Sequence, residues 1–223
     1  MLPSEDHLRE RARTHLLESA KIKREIAQDG LDAMLDAARL IADCMRAGGK
    51  LLLCGNGGSA ADCQHVAAEF VSRLSPDFER PALPAIALTT DGSFLTAYAN
   101  DYSFEGVFER QVRALGKRGD LLIGISTSGS SRNVIRAVQA AGEMGLRTVV
   151  LTGEGGVLAS MADVALAAPS GNLQYIQEAH LAMEHAVVDL VEQLLYVEAE
   201  QPQPEEAVTT RRARRTSSLR RAG

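Results

Sequence analysis

Short apolar runs separated by longer segments of helical periodicity most narrowly limit what this chain can become. Leu51–Cys54, Ala85–Leu88, Leu121–Ile125 and Thr148–Leu151 have strand character, and Val164–Ala167 offers a fifth candidate. The runs are almost continuously apolar, the signature of strands covered on both faces. Between them lie helical segments such as Ser59–Arg73 and Asn133–Met144. Strand–helix–strand repetition needs crossover connections, so the runs imply a parallel sheet with helices on both sides, an α/β fold. With 223 residues, the chain is long enough to bury such a core.

The flanks differ from this central block. Residues 4–47 read as two helices, with Leu8, Ala12, Leu16 and Leu17 on one stripe and Leu31, Met34, Leu35, Ala38, Ile41 and Ala42 on another. Asp29-Gly30 separates them, and Gly48-Gly49 stops the second. A last helix is expected over about Leu173–Val197. Beyond it the chain turns to Gln-Pro-Gln-Pro-Glu-Glu and ends among Arg211, Arg212, Arg214, Arg215, Arg220 and Arg221. That composition predicts a disordered, solvated tail, with a nucleic-acid or membrane contact as its other reading. The expected organisation is therefore a helical region at 1–48, whose long apolar faces agree with an oligomer interface, a sheet domain at 49–198 and an Arg-rich tail at 199–223.

Composition removes several function classes. Tryptophan is absent and aromatics are 4% of the chain, too few for a base-stacking platform. A net charge of −5 argues against nucleic acid as partner of the folded body. Cys44, Cys54 and Cys63 form no Cys-x-x-Cys pair, so a disulfide framework is not expected and a reducing cytoplasm is. No apolar run approaches membrane-spanning length, and the polar, acidic start Met1-Leu-Pro-Ser-Glu-Asp is unlike a secretory leader.

Two strand-to-helix junctions carry the chemistry. Leu51–Cys54 runs into Gly55-Asn-Gly-Gly-Ser, and Leu121–Ile125 runs into Ser126-Thr-Ser-Gly-Ser-Ser. A helix N-terminus offers unpaired N–H groups and a partial positive charge, and hydroxyl side chains add donors, so such loops can cage a phosphate without a lysine. Serine and glycine are also ordinary turn and cap residues. Two such loops at corresponding positions, at the carboxyl ends of parallel strands, favour a ligand. Neither the Walker pattern nor Gly-x-Gly-x-x-Gly is met, which disfavours a nucleotide.

Acid–base groups sit on two helices. His65 and Glu69 share a face at i, i+4, while Gln177, His180, Glu184 and His185 punctuate the last helix. At about 100° per residue, Gln177 and His185 lie ~80° apart and can face one pocket. Histidine, glutamate and glutamine donors suit a zinc site. A carboxylate and an imidazole beside a phosphate cage equally suit proton transfer next to a carbonyl. Spacing alone leaves His180 and His185 as alternatives.

Gly55-Asn-Gly-Gly-Ser-Ala-Ala-Asp, Gly124-Ile-Ser-Thr-Ser-Gly-Ser-Ser and Ile176-Gln-Glu-Ala-His180 closely resemble the SIS (sugar isomerase) domain family and, within it, the bacterial phosphoheptose isomerases. The resemblance covers about residues 8–196. It implies a three-layer, flavodoxin-like sandwich with a five-stranded parallel sheet and an N-terminal helical extension, and a cytoplasmic homotetramer. Carried over by motif, Asn56, Gly57, Gly58 and Ser59, together with Asn100 and Asp101, would contact a sugar phosphate. Ser126, Thr127, Ser128 and Ser131 would hold its phosphate. His65, Glu69, Gln177 and His185 correspond to ligands of one zinc ion per subunit, Glu69 and His185 to the acid–base pair, and Glu69, Arg73 and Gln177 to substrate contacts. In this register His185, not His180, occupies the site position.

The resemblance implies an aldose–ketose isomerase that converts D-sedoheptulose 7-phosphate to D-glycero-D-manno-heptose 7-phosphate through an enediol, the first step of bacterial heptose biosynthesis. Glu69 would be the base and His185 the acid. Zinc-bound carboxylate is a poorer base, so either Glu69 loosens from the metal or the metal is mainly structural. The other reading is a non-catalytic SIS protein that binds the replication initiator or senses a sugar phosphate. Arg80-Pro-Ala-Leu-Pro-Ala-Ile-Ala-Leu and Arg113-Ala-Leu-Gly resemble those relatives too, but they generally lack the glutamate and the last histidine.

Overall fold

The computed structural model describes residues 2–197; the expected tail at 199–223 lies outside them. Two helices lead, α1 (Glu5–Asp29) and α2 (Leu31–Arg46), followed by β1 (Leu51–Gly55), α3 (Gly58–Val71), β2 (Ala85–Ala87), α4 (Gly92–Asp101) and α5 (Val107–Leu115). The second half runs β3 (Leu121–Ser126), α6 (Arg132–Met144), β4 (Arg147–Thr152), β5 (Val164–Ala167) and α7 (Leu173–Tyr196). The five strands form one sheet in the order β2-β1-β3-β4-β5, and every pairing is parallel. This is the flavodoxin-like order, with its switch point between β1 and β3.

The pleat sends successive residues to opposite faces. Leu51, Leu53, Leu121, Ile123, Ile125, Val149, Leu151 and Leu166 join a core with α2, α3 and α7, into which the end of α1 also packs through Ile22 and Ile26. Leu52, Cys54, Leu122 and Val150 join a second core with α5 and α6. The strands have no polar face because both faces are covered, hence their unbroken apolar runs.

Local signals set the ends of these elements. Ser4 caps α1 by accepting from the His7 amide. At the end of α2, Gly48 N–H donates to Met45 O and Gly49 N–H to Cys44 O, the paired bonds of a Schellman stop. The first half of α1 departs from a core helix: Leu8, Leu16 and Leu17 are exposed, so its apolar spacing is not spent on contacts among the described residues. The helix after the first loop stops at Val71, before Arg73, and α4 and α5 fill a segment for which the spacing names no helix. α4 fully buries no residue and packs on the second core through the partly buried Phe94, Leu95, Tyr98 and Ala99. No helix among the described residues is long and apolar enough to cross a membrane.

Strand β2 is only three residues long, follows Pro81 and Pro84, and forms one edge of the sheet. At the foot of the central strands, buried Asp120 accepts from the Lys50 amide at 3.0 Å and the Lys117 amide at 2.8 Å. It also pairs with the Lys50 ammonium. Asp120→Ala removes an acceptor from two amides and breaks a largely buried ion pair. It is expected to lower stability by about 3 kcal/mol in urea unfolding, with Asp120→Asn less damaging.

Candidate functional site

The carboxyl ends of β1 and β3 deliver two loops side by side, since Gly55 pairs with Ile125 at the last rung of their ladder. After β1 the chain turns at Asn56-Gly57 and enters α3 with no side-chain cap, which leaves the first amides of that helix unclaimed by side chains. Ser59 is buried in its first turn. After β3, Ser126–Ser131 curls tightly. Ser126 Oγ donates to Ser131 Oγ at 2.9 Å and lies 3.4 Å from Ser128 Oγ, while Gly129 N–H returns to Ser126 O. Ser131 begins α6, again without a side-chain cap. Gly129 has φ +61°, and a side chain there would also strike the Gly155 carbonyl. The 153–158 segment braces the loop from outside, with Gly153 N–H donating to Thr127 O and Val157 and Leu158 N–H to Gly129 O.

The two loops are tied together by a reciprocal amide pair. Asn56 donates to Asn133 at 2.9 Å and Asn133 donates back at 2.8 Å. Asn133 is buried in the first turn of α6, and its Oδ1 also accepts from the Val134 amide. Sequence reasoning missed it. The available signal was a second asparagine just after the serine loop, as Asn56 stands in the glycine loop.

Helices α3 and α7 bring the titratable groups together. His65 Nε2 lies 2.8 Å from His185 Nε2 and 3.5 Å from Glu69 Oε1. The rings meet edge to face, with centroids 5.0 Å apart. Each of the three residues offers one ligand atom, all within 4.8 Å of one another. Glu69 Oε2 is buried with no hydrogen-bond partner among the described residues. Two imidazole nitrogens beside an unsatisfied carboxylate oxygen make a donor set that a divalent cation fits. The Gln177 carboxamide packs against Gly58, where a methyl group would sit 3.0 Å from its carbon. The next residue toward the helix start, Ile176, packs on Gly153, whose amide holds the serine loop. The start of α7 therefore touches both loops.

A model of the SIS domain matches residues 15–153. This chain is a member of the SIS-domain family. Within that family it belongs with the phosphoheptose isomerases. It is 49% identical over 183 residues to the phosphoheptose isomerase of Nitratidesulfovibrio vulgaris, covering 82% of this chain and 87% of that one. It is 52% identical over 181 residues to that of Roseiflexus sp., covering 81% and 91%. The solved structure of the phosphoheptose isomerase GmhA from Neisseria gonorrhoeae superposes with a TM-score of 0.78 at 46% identity, over 83% of this chain and 99% of that one.

Other residues of this SIS domain lie apart from the histidine–glutamate cluster. Asn100 and Asp101 end α4, exposed and bonded to each other at 2.9 Å. Arg73 lies past the end of α3, paired with Glu79 at 2.6 Å. Neither contact reaches the cluster. His180 and Glu184 face inward instead. Glu184 is buried with neither oxygen hydrogen-bonded among the described residues, and burial, reinforced by Asp62, raises its pKa to about 8.

His180 is fully buried and faces the Thr152 carbonyl at 3.0 Å. Burial lowers its pKa, partly opposed by that hydrogen bond. The unfolded chain therefore binds a proton near the ordinary value of 6.5 that the folded protein refuses. Stability from this residue is fully present above that pH and is lost as pH falls toward the lower folded value. His180→Gln is expected to flatten the dependence of the unfolding free energy on pH below 6.5, measured by denaturant titrations at several pH values.

Proposed function

We propose that this SIS-domain protein is an aldose–ketose isomerase that converts D-sedoheptulose 7-phosphate to D-glycero-D-manno-heptose 7-phosphate, the opening step of heptose biosynthesis. The meeting of His65 and Glu69 from α3 with His185 from α7, beside two open helix N-termini, carries this reading. The serine loop and the first amides of α6 bind the phosphate, with Ser126, Thr127, Ser128 and Ser131 as hydroxyl donors. Asn56, Gly57, Gly58 and Ser59 line the adjoining edge. Anchoring the far end of the sugar places its carbonyl end at the cluster, and that binding energy supplies orientation.

The reaction moves protons and leaves the carbon chain intact. Glu69 takes the proton from C1 of the ketose while the O2 carbonyl oxygen gains one, giving the 1,2-enediol. The O1 hydroxyl then loses its proton, and Glu69 returns one to C2, giving the aldose. His185 carries the protons between the oxygens. His65, Glu69, Gln177 and His185 would hold one zinc ion per subunit. Zinc supplies Lewis-acid stabilisation of negative charge on oxygen when bound. Arg73, Asn100 and Asp101 are proposed as further substrate contacts.

The exposed Leu8, Leu16 and Leu17 of α1 support burial of residues 1–48 in a homotetramer, with residues 49–198 as the isomerase domain. The three free, buried cysteines fit a reducing cytoplasm. The non-catalytic reading is disfavoured because Glu69 and His185 are both present and in one cluster.

Incubation with sedoheptulose 7-phosphate, followed by NMR, is expected to yield the aldose. No conversion by folded, zinc-supplied protein would overturn the proposal. Glu69→Gln and His185→Gln are each expected to lower kcat by at least about 100-fold. Metal analysis of the purified protein is expected to find zinc, and to find it diminished in His65→Ala.

A further inference from the structure

Arg80 lies between α3 and β2, outside the loops and the ligand cluster, yet its side chain is 0% exposed. It donates from Nε to Glu192 at 2.6 Å, from Nη1 to the carbonyls of Phe70 at 2.9 Å and Pro81 at 3.0 Å, and from Nη2 to the Glu69 carbonyl at 2.7 Å. Glu192 is equally enclosed, at 3%. A buried guanidinium is costly unless its donors are used, and here each of its three nitrogens is engaged.

The placement of these partners is specific. The carbonyls of Glu69 and Phe70 belong to the last turn of α3, where helix carbonyls lack partners and a cation is favourable. Glu192 lies seven residues beyond His185 on α7, two turns and ~10 Å along the same stripe. One guanidinium thus grips the backbone of Glu69 and the helix that carries His185.

We propose that Arg80 is a positioning residue, which with Glu192 sets the separation at which Glu69 and His185 meet. The inference rests on the reading of those two residues as the acid–base pair. Without the clamp, the Glu69 carbonyl loses its side-chain partner, the Phe70 carbonyl keeps only the Leu83 amide, and α3 loses its charged link to α7. A displacement of about 1 Å between acid–base groups is enough to cost ~100-fold in rate. The phosphate cage hangs from β3 and α6 and does not depend on the clamp.

Arg80→Lys, which keeps the charge but loses the fork, and the apolar pair Arg80→Met with Glu192→Met separate positioning from stability. Replacing both members of a buried ion pair with apolar residues is often neutral for folding. For both variants, the measurements are thermal unfolding, kcat and KM for sedoheptulose 7-phosphate, and Zn²⁺ affinity of the metal-free protein by chelator competition. The expected result is folded protein with kcat and Zn²⁺ affinity each down about 10- to 100-fold, and KM within about twofold of wild type. A folded double variant with wild-type kcat and Zn²⁺ affinity would overturn the proposal. So would losses that track only the folded fraction in both variants. If wild-type protein itself shows no turnover, the isomerase reading fails, while the Zn²⁺ measurement still decides the clamp.

Discussion

The pairing of Lys50 with Asp120 fixes the arrangement on which the site depends. Asp120 precedes β3 and Lys50 precedes β1, and the carboxylate binds both the amide and the ammonium of that lysine. The foot of the two central strands is thereby pinned, and Leu51 stands opposite Leu121. Four rungs later the same register brings Gly55 opposite Ile125. The glycine loop and the serine loop emerge level with each other, close enough for Asn56 and Asn133 to exchange hydrogen bonds. A ladder set at one end of the sheet thus determines the pocket at the other.

The sheet supplies binding edges, and the helices supply chemistry. Parallel strands here are buried on both faces and have no room for titratable groups. Imidazoles and carboxylates are instead displayed on α3 and α7, where one face packs on the sheet and the margin faces the pocket. α7 shows how fine that margin is. His180 and Glu184 point into the core, while His185, one residue past Glu184, reaches the His65 ring. A helix advances about 100° per residue, so neighbours in sequence can face opposite environments.

The strands were legible to within a residue or two because doubly covered strands carry an unambiguous apolar run, and the two loops because glycine and serine clusters break it. α4 and α5 were not, since the apolar groups of α4 (Phe94, Leu95, Tyr98 and Ala99) are only partly buried and α5 is nine residues long, so neither leaves a long stripe to read. Spacing could not separate His180 from His185. Burial settles which one faces the core, and burial depends on how α7 rolls against the sheet. Asn133 was invisible for a related reason: its role is to match Asn56, and the pairing of β1 with β3 that brings them together is non-local. Arg80 likewise enters the sequence reading only as the first residue of a segment that resembles non-catalytic SIS proteins. Only the fold reveals that the loop doubles back under the end of α3.

The short edge strand β2 has a consequence for how copies of this chain can associate. Exposed sheet edges are templates for backbone pairing between molecules. Here the edge offers three residues, entered from a segment with two prolines, one of which cannot donate immediately before the strand. Too little unpaired backbone is presented to recruit a second sheet, so open-ended polymerisation by strand addition is blocked. On this side of the molecule, what is left for a neighbour to touch is side chains and not backbone.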